Sequence, residues 1–275
     1  MIHRLRLLLA GRVPGFFKEG YLRMRQLNAG QRALPDFLII GAQKAGTTSL
    51  HNYLCLHPRV IGSLPKEIFY FDSHPERGER WYRRHFPTRR SLRRSGAICG
   101  EATSTYLYSP QAAERAVARI PQARILVLLR EPAARAVSQF YHRARAGREH
   151  RPIDEVFSAD AIDRMRRGAP EGETESILYQ RSLYAPALRH WFYRFPRRQV
   201  MVIEAERFFA HPQAVFDEVC SLLGVDPFPL PSASAYNRAG ERTPKPERFA
   251  ELRKVLAAAN ADLPAMGVSM SWLPT

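Results

Sequence analysis

Residues 36–50 read DFLIIGAQKAGTTSL, and this stretch decides the fold class. The apolar run at 36–41 predicts a buried strand, and the apolar stripe that follows predicts a helix over 47–56. Gly41 and Gly46 lie between the two elements. Such a turn lets backbone amides converge on an anion at the start of a helix. The stretch therefore predicts a phosphate-binding loop in an α/β domain.

The rest of the chain repeats this alternation of short apolar runs and helical patterns. The run from Ile125 to Leu129 is apolar at every position, as expected for a strand that is covered on both faces. We therefore expect a three-layer, P-loop-like α/β fold with a central parallel sheet flanked by helices. We divide the chain into a basic N-terminal extension, 1–35, and a single domain, 36–275. Further strands are predicted within 97–105, 123–130 and 197–208, and further helices over 110–120, from Pro132, over 212–223 and after Pro246.

The chain is strongly basic. Its 42 Lys and Arg exceed its 26 Asp and Glu and give a formal net charge of +16 over 275 residues. This charge implies an anionic partner, which can be a nucleic acid, an acidic polysaccharide, a membrane lipid or a polyphosphorylated small molecule. The arginines are scattered, without a basic stretch interleaved with aromatic residues, so we expect no nucleic-acid partner.

Cysteine usage and the N-terminus bear on location. The three cysteines are widely spaced, which indicates buried thiols in a reducing compartment. The basic start MIHRLRLLLAGRVPGFF has an apolar run too short to span a bilayer and lacks a clear export signal. We therefore expect a cytoplasmic protein. Its N-terminal arm is either a disordered or docking extension, which we favour, or a leucine-rich segment that touches an anionic membrane surface at its inner face.

The lysine in the glycine loop has an unusual position. In the phosphate loop of nucleoside triphosphatases, Lys follows the second glycine and precedes the Ser or Thr that holds Mg²⁺. Here Thr47 occupies that position and Lys44 lies inside the loop. Its ammonium is expected to reach over a 5′-phosphate towards the attached group. Glu204 ends a predicted strand, but we interpret it as a solvated or ion-paired residue and expect no metal. The predicted phosphate ligands are Lys44, Ala45, Gly46, Thr47, Thr48 and Ser49.

A second motif, LLREPAARAVSQFYH at 128–142, follows the next predicted buried strand. Arg130 closes this strand, and Ser138 lies two turns into the following helix. An arginine fork suits a terminal phosphate dianion. Together with the first loop, Arg130 and Ser138 indicate a nucleotide that carries phosphates at two separate ends.

The two motifs together resemble the 5′- and 3′-phosphate-binding elements of sulfotransferases that use 3′-phosphoadenosine 5′-phosphosulfate (PAPS). The resemblance is greatest to the branch that modifies heparan sulfate and related glycans, and to its bacterial relatives. Three further stretches are similar to that branch: LPKEIFYFD at 64–72, GEATSTYLY at 100–108 and the segment 183–225. The likeness runs from about residue 36 to 226.

The resemblance implies a function. Lys44 would neutralise charge on the leaving oxygen of PAPS, and Arg130 and Ser138 would hold the 3′-phosphate. Glu67 would be the general base that deprotonates a hydroxyl or amine of a glycan or glycolipid acceptor. Lys66 and Glu101 are expected to contact substrate. His74, His85 and His142 are weaker candidates for the base.

The chain departs from that branch at two places. Ala102 stands where members that act on heparan sulfate often carry a substrate-contacting lysine. The segment AYNRAGERTPKPE at 235–247 lacks the Cys-bounded hairpin with its Lys-Gly-aromatic sequence. Within it, Arg238, Arg242 and Lys245 either close over the phosphates or form a basic surface loop, and we assign Arg238 to donor binding. These departures leave the acceptor open.

One alternative enzyme class remains at this point. An atypical P-loop kinase or ATPase would share the strand–loop–helix unit. Its preference for Mg·ATP over adenosine 3′,5′-bisphosphate would distinguish it.

Overall fold

A computed structural model describes residues 15–231 and 243–273 of the chain. Its centre is a five-stranded sheet with the order β2–β3–β1–β4–β5, in which all neighbouring strands are parallel. The strands are β1 Phe37–Gly41, β2 Val60–Gly62, β3 Ile98–Ala102, β4 Arg124–Leu129 and β5 Val200–Glu204.

Helices of the described residues occupy the connections between the strands and the two ends of the described chain. Short 3₁₀ turns cover Ala29–Gln31, Pro75–Arg77, Tyr106–Tyr108, Arg197–Gln199 and Pro264–Met266. The α-helices are α1 Gly15–Leu27, α2 Thr47–Leu56, α3 Gly78–Arg83, α4 Arg89–Ser95, α5 Pro110–Arg119, α6 Pro132–Arg145, α7 Ile153–Val156, α8 Ala159–Arg166, α9 Gly172–Gln180, α10 Tyr184–Arg194, α11 Ala205–Ala210, α12 Pro212–Leu223 and α13 Pro246–Ala258.

The sheet is covered on both faces. Every residue of β1 is buried, as is each residue of β4 after Arg124. Because successive side chains of a strand point to opposite faces, continuous burial requires packing on both sides. A second apolar cluster joins residues of α6 to residues of α8 and α13, outside the main core. The expected parallel sheet between layers of helices is therefore confirmed.

Strand polarity places the functional segments at one edge. In a parallel sheet all carboxyl ends lie on the same side, and ligands of open α/β sheets bind there. The glycine loop follows β1, Arg130 follows β4, and Thr103 follows β3. These segments come from distant parts of the sequence, and the sheet brings them to a common edge.

Several parts of the fold were not predicted from sequence, among them the helices α1, α3 and α4. Strand β2 has three residues and lies at the sheet edge, so it carries little periodic signal. The helices between 153 and 194 were also not predicted, although their packing surface includes Phe157, Ile162 and Leu178, all fully buried.

The segment before β1 packs on the rest of the chain. Leu22 and Arg25 of α1 are buried, and Arg84 pairs with Glu19 of the same helix at 3.1 Å. The division into an extension, 1–35, and a domain, 36–275, stays a proposal. In the ranges that the structure describes, no helix is long and apolar enough to cross a membrane. The expected cytoplasmic location and membrane contact stay predictions.

A glycine in β3 makes a testable contribution to stability. Gly100 pairs with Phe37 across the sheet, and a Cβ atom at Gly100 would lie 2.4 Å from atoms of the fully buried Phe37 ring. We expect Gly100→Ala to lower the free energy of unfolding by about 1–3 kcal/mol through overpacking, as measured by urea denaturation. Gly20→Ala is the control, because open space surrounds that position in α1. Equal stability of the two variants would contradict the prediction.

Candidate active site

The loop between β1 and α2 has the geometry of an anion cradle. Gly46 is the N-cap of α2 at φ 98°, a conformation that favours glycine, and it provides no side-chain cap. A Cβ atom there would also meet the Phe209 ring at 2.8 Å. The amides of the first helical turn have no acceptors within the helix, so they are available to a ligand. Thr47 and Ser49 are buried in this turn, and Thr48 is half-buried.

The second predicted phosphate element lies beside the first. Strands β1 and β4 are neighbours, and Arg130, at the end of β4, donates a long 3.4 Å hydrogen bond from Nη1 to the Lys44 carbonyl. The Arg130 carbonyl accepts a hydrogen bond from the Tyr184 hydroxyl at 2.8 Å. Ser138 is 6% exposed on α6, which begins directly after this strand. The structure thus brings together the loop and the arginine that the sequence assigned to opposite phosphates.

The lysine of the loop also affects α6 electrostatically. Lys44 has φ 72°, in the left-handed region, and its side chain is half-buried. Partial burial lowers the pKa of His142, and the positive charge of Lys44 lowers it further. His142 follows Ser138 by one helical turn on α6. The positive charge of Lys44 therefore acts on a residue of the helix that carries Ser138.

Glu67 follows β2 in the sequence and lies beside the end of β3. Its backbone amide donates to the Ala102 carbonyl at 2.9 Å, which ties the residue to the strand. Its carboxylate accepts from Lys66 Nζ at 2.6 Å, from the Ser104 hydroxyl at 3.1 Å and from the Ser104 amide at 3.2 Å. The Glu67 side chain is 27% exposed, so one side of this carboxylate remains open to an approaching group.

The other candidate bases have different environments. His85 is buried and its Nδ1 lies 2.5 Å from the Leu64 carbonyl, and burial lowers the pKa of His85 to about 4. His74 is partly exposed and lies 3.7 Å from Glu76. His85 is thus held in the interior by a backbone contact, whereas His74 is partly exposed, and the assignment of the general base stays a prediction.

Comparison with known proteins identifies the family. The model of the sulfotransferase domain matches residues 34–232. The chain belongs to the sulfotransferase domain family. It is thus a member of a transferase family. Its central parallel sheet flanked by helices agrees with the fold predicted from the sequence.

Two curated relatives and one solved structure resemble this sulfotransferase domain. It is 32% identical over 205 residues to the bifunctional heparan sulfate N-deacetylase/N-sulfotransferase 4 of Mus musculus, covering 70% of this chain and 23% of that protein. It is 30% identical over 201 residues to the human heparan sulfate glucosamine 3-O-sulfotransferase 3A1, covering 72% of this chain and 46% of that protein. The chain therefore spans less than half the length of either relative. A sulfotransferase from Alicyclobacillus acidocaldarius superposes with a TM-score of 0.66 at 31% identity, covering 87% of this chain and 99% of that chain.

The structure corrects the role expected for Glu101. This residue is fully buried in the sulfotransferase domain, and its carboxylate accepts hydrogen bonds from Tyr82, Thr103 and Tyr106. A carboxylate without solvent access, surrounded by protein donors, cannot contact substrate directly. The expectation of a substrate contact from Glu101 is therefore wrong. Lys66, by contrast, is 21% exposed and paired with Glu67, and its contact with substrate stays a prediction.

Three other expectations concern the loops around the site. The Glu204 carboxylate, interpreted from sequence as solvated or ion-paired, accepts from the amide of Ser271 at 3.1 Å. Lys245 is the N-cap of α13, and its amide donates to Asp154 at 2.9 Å. Arg238 lies outside the described residues, so its assignment to donor binding stays a prediction.

Sequence reasoning missed an arginine next to the loop. Arg181 donates to the Gln43 side chain, the residue before Lys44, and stacks over the Tyr108 ring at 5.9 Å. A cavity of about 390 Å³ borders Tyr108 and Arg181. Gln43 and Arg181 are 138 positions apart, so no spacing pattern could have linked them.

Proposed function

We propose that this chain transfers a sulfuryl group from PAPS to a hydroxyl or amine of an acceptor. The observation that carries the proposal is the hydrogen bond from Arg130 to the Lys44 carbonyl, because it joins two cationic elements at the ends of neighbouring strands. A nucleotide with phosphates at both ends of its ribose matches this pair. Sulfotransferases of the family generally use PAPS, which has such phosphates.

On the donor side, the loop amides and Thr47 and Thr48 bind the 5′-phosphate, and Arg130 and Ser138 bind the 3′-phosphate. Lys44 acts on the oxygen that bridges phosphorus and sulfur. As the S–O bond breaks, negative charge grows on this oxygen, and a preorganised cation lowers the barrier. The leaving group is adenosine 3′,5′-bisphosphate.

On the acceptor side, Glu67 is the general base. It takes the proton of the acceptor hydroxyl or amine while the oxygen or nitrogen attacks sulfur in line with the leaving group. Hydrogen bonds from Lys66 and from the Ser104 hydroxyl hold the Glu67 carboxylate in place, which supports this role. Such placement makes proton transfer effective, typically by about 10²–10⁴-fold.

We infer that the acceptor is a glycan or glycolipid. Two observations support this class: the heparan sulfate sulfotransferases among the relatives and the net charge of +16, which suits an acidic partner. Ala102 is fully buried at the end of β3 and offers no cation to such an acceptor. The sulfated position and the choice between O- and N-sulfation are thus left to experiment.

The proposal is tested with the full chain. Purified protein is incubated with ³⁵S-labelled PAPS and a panel of glycans, glycolipids and small hydroxyl or amine compounds, and labelled products are separated from the donor. In parallel, calorimetry compares adenosine 3′,5′-bisphosphate with Mg·ATP. We expect label transfer and tighter binding of the bisphosphate. Tighter binding of Mg·ATP would favour the kinase or ATPase alternative and overturn the proposal.

Arg130 is expected to control donor selectivity. Replacing Arg130 by alanine removes a charge-assisted contact to the 3′-phosphate, so adenosine 3′,5′-bisphosphate should bind about 10- to 100-fold more weakly. Adenosine 5′-monophosphate, which lacks that phosphate, should bind with nearly unchanged affinity and serves as the internal control. Equal weakening for both nucleotides, measured by calorimetry, would contradict the assignment of Arg130 to the 3′ end.

A further inference from the structure

A buried carboxylate lies beneath the segment that carries Glu67. Glu101 Oε1 accepts hydrogen bonds from the Tyr82 and Tyr106 hydroxyls, and Oε2 accepts from the Thr103 hydroxyl at 2.8 Å. All four of these residues are fully buried. Burial raises the pKa of Glu101 to about 7, and its bonds from the three hydroxyls oppose this rise. Above this pKa, the carboxylate accepts three hydrogen bonds and donates none.

Two of the three hydroxyls also accept hydrogen bonds from backbone amides of the neighbouring segment, 67–71. The Tyr106 oxygen accepts from the amides of Tyr70 at 2.8 Å and Phe71 at 3.2 Å. The Thr103 oxygen accepts from the amide of Ile68 at 3.1 Å. Each hydroxyl has a single proton, which it gives to Glu101, so its lone pairs face these amides. Glu101 thereby determines the direction of both hydroxyls.

The supported segment, 67–71, needs such support. Glu67 has φ 62° and Phe69 has φ 58°, and both lie in the left-handed region that residues other than glycine rarely adopt. Each such residue costs about 1–3 kcal/mol and persists where surrounding contacts hold it. The amides of Ile68, Tyr70 and Phe71 provide these contacts through the two hydroxyls.

We propose that Glu101 is a positioning residue that orients the Thr103 and Tyr106 hydroxyls and so fixes the segment 67–71 that presents Glu67. The role in catalysis depends on the proposed function, in which Glu67 is the general base. The structural role does not, because it concerns the hydrogen bonds beneath the segment. Glutamine at position 101 would keep the shape but replace one acceptor oxygen by an NH₂ donor, so at least one hydroxyl would lose the acceptor for its proton.

The test compares Glu101→Gln, Tyr106→Phe and Tyr82→Phe in the full chain. Tyr82→Phe is the matched control, since both tyrosine hydroxyls bond to Glu101 Oε1 but Tyr106 alone of the two bonds to the segment amides. Hydrogen exchange by mass spectrometry is read on peptides covering 68–71. We expect about five- to tenfold faster exchange there in Glu101→Gln and Tyr106→Phe, and near wild-type exchange in Tyr82→Phe.

Kinetics provide the second readout. With PAPS and an acceptor that the wild-type chain sulfates, kcat should fall by about 10- to 100-fold in Glu101→Gln and Tyr106→Phe, because Glu67 is misplaced. The dissociation constant of adenosine 3′,5′-bisphosphate should stay within about twofold, since the phosphate elements are untouched. A general loss of structure would instead weaken nucleotide binding together with kcat.

Each outcome is decisive. Unchanged exchange at 68–71 in both Glu101→Gln and Tyr106→Phe, or the same acceleration in Tyr82→Phe, overturns the positioning role. If Glu101→Gln does not fold, the pair Tyr106→Phe and Tyr82→Phe decides. If the wild-type chain transfers no sulfate, the proposed function fails, while the exchange experiment still decides whether Glu101 fixes the segment.

Discussion

Replacing Lys44 by alanine is expected to lower kcat by about 10²–10³-fold, the cost of removing one preorganised group that stabilises developing charge. Lys44 lies inside the loop at φ 72°, and the Arg130 guanidinium bonds its backbone carbonyl, not its side chain. Alanine therefore keeps the loop contact and removes the ammonium. Charge on the leaving oxygen would then be neutralised by the loop amides alone. Single-turnover measurements with labelled PAPS report this step directly.

The matched control is Lys254→Ala, which removes an exposed lysine of α13. It should leave kcat unchanged. Adenosine 3′,5′-bisphosphate should bind to the Lys44 variant with a smaller loss of affinity than the loss in kcat, because its phosphates keep Arg130 and the amides. A Lys44→Ala enzyme with kcat within about threefold of wild type would show that this lysine stabilises no developing charge.

The Glu67→Gln variant should lose about 10²–10⁴-fold in kcat, since an amide cannot take the acceptor proton. The side chain keeps its size, and its oxygen can still accept from Lys66 or Ser104. Nucleotide binding should stay close to wild type, because Glu67 lies on the β3 side and the phosphate elements follow β1 and β4. Initial rates at saturating PAPS, together with calorimetry of adenosine 3′,5′-bisphosphate, separate the two effects.

Glu76→Gln is the comparison for this variant, because Glu76 is an exposed carboxylate in the same region whose contacts are with His74 and Arg77. We expect its rate to match wild type. Near-normal kcat in Glu67→Gln would remove this carboxylate from the mechanism. A loss of nucleotide affinity equal to the loss of kcat would indicate that Glu67 supports the donor site.

Local sequence signals were sufficient for the central elements. The helix predicted over 47–56 and the helix predicted over 212–223 have those bounds in the structure, because glycines and prolines mark their ends. Pro132 begins α6 as predicted, and Glu131 caps it by accepting from two backbone amides. The phosphate loop was predicted because strand, glycines and helix are contiguous.

The parts that sequence could not predict depend on contacts between distant residues. Glu101 reads as an ordinary polar residue at the end of a strand, and its burial follows from Tyr82, 19 positions earlier, and Tyr106. The only sequence signal was that hydroxyl residues, Thr103 and Tyr106 among them, follow a predicted strand. The direction in which their hydroxyls point depends on contacts with the segment 67–71. Lys66 and Glu67 were placed by resemblance, and their 2.6 Å ion pair became visible in the structure.

The strand order has a consequence for how such a protein can change. Strand β1 lies between β3, whose end bonds the backbone of Glu67, and β4, which leads to Arg130. Under the proposed assignment, the 3′-phosphate of the nucleotide binds on the β4 side of β1, and the acceptor is deprotonated on the β3 side. Under this assignment, substitutions on the β3 side can change the acceptor while nucleotide binding is retained. This arrangement allows the same fold to acquire new acceptor specificities while the residues that bind the sulfate donor stay unchanged.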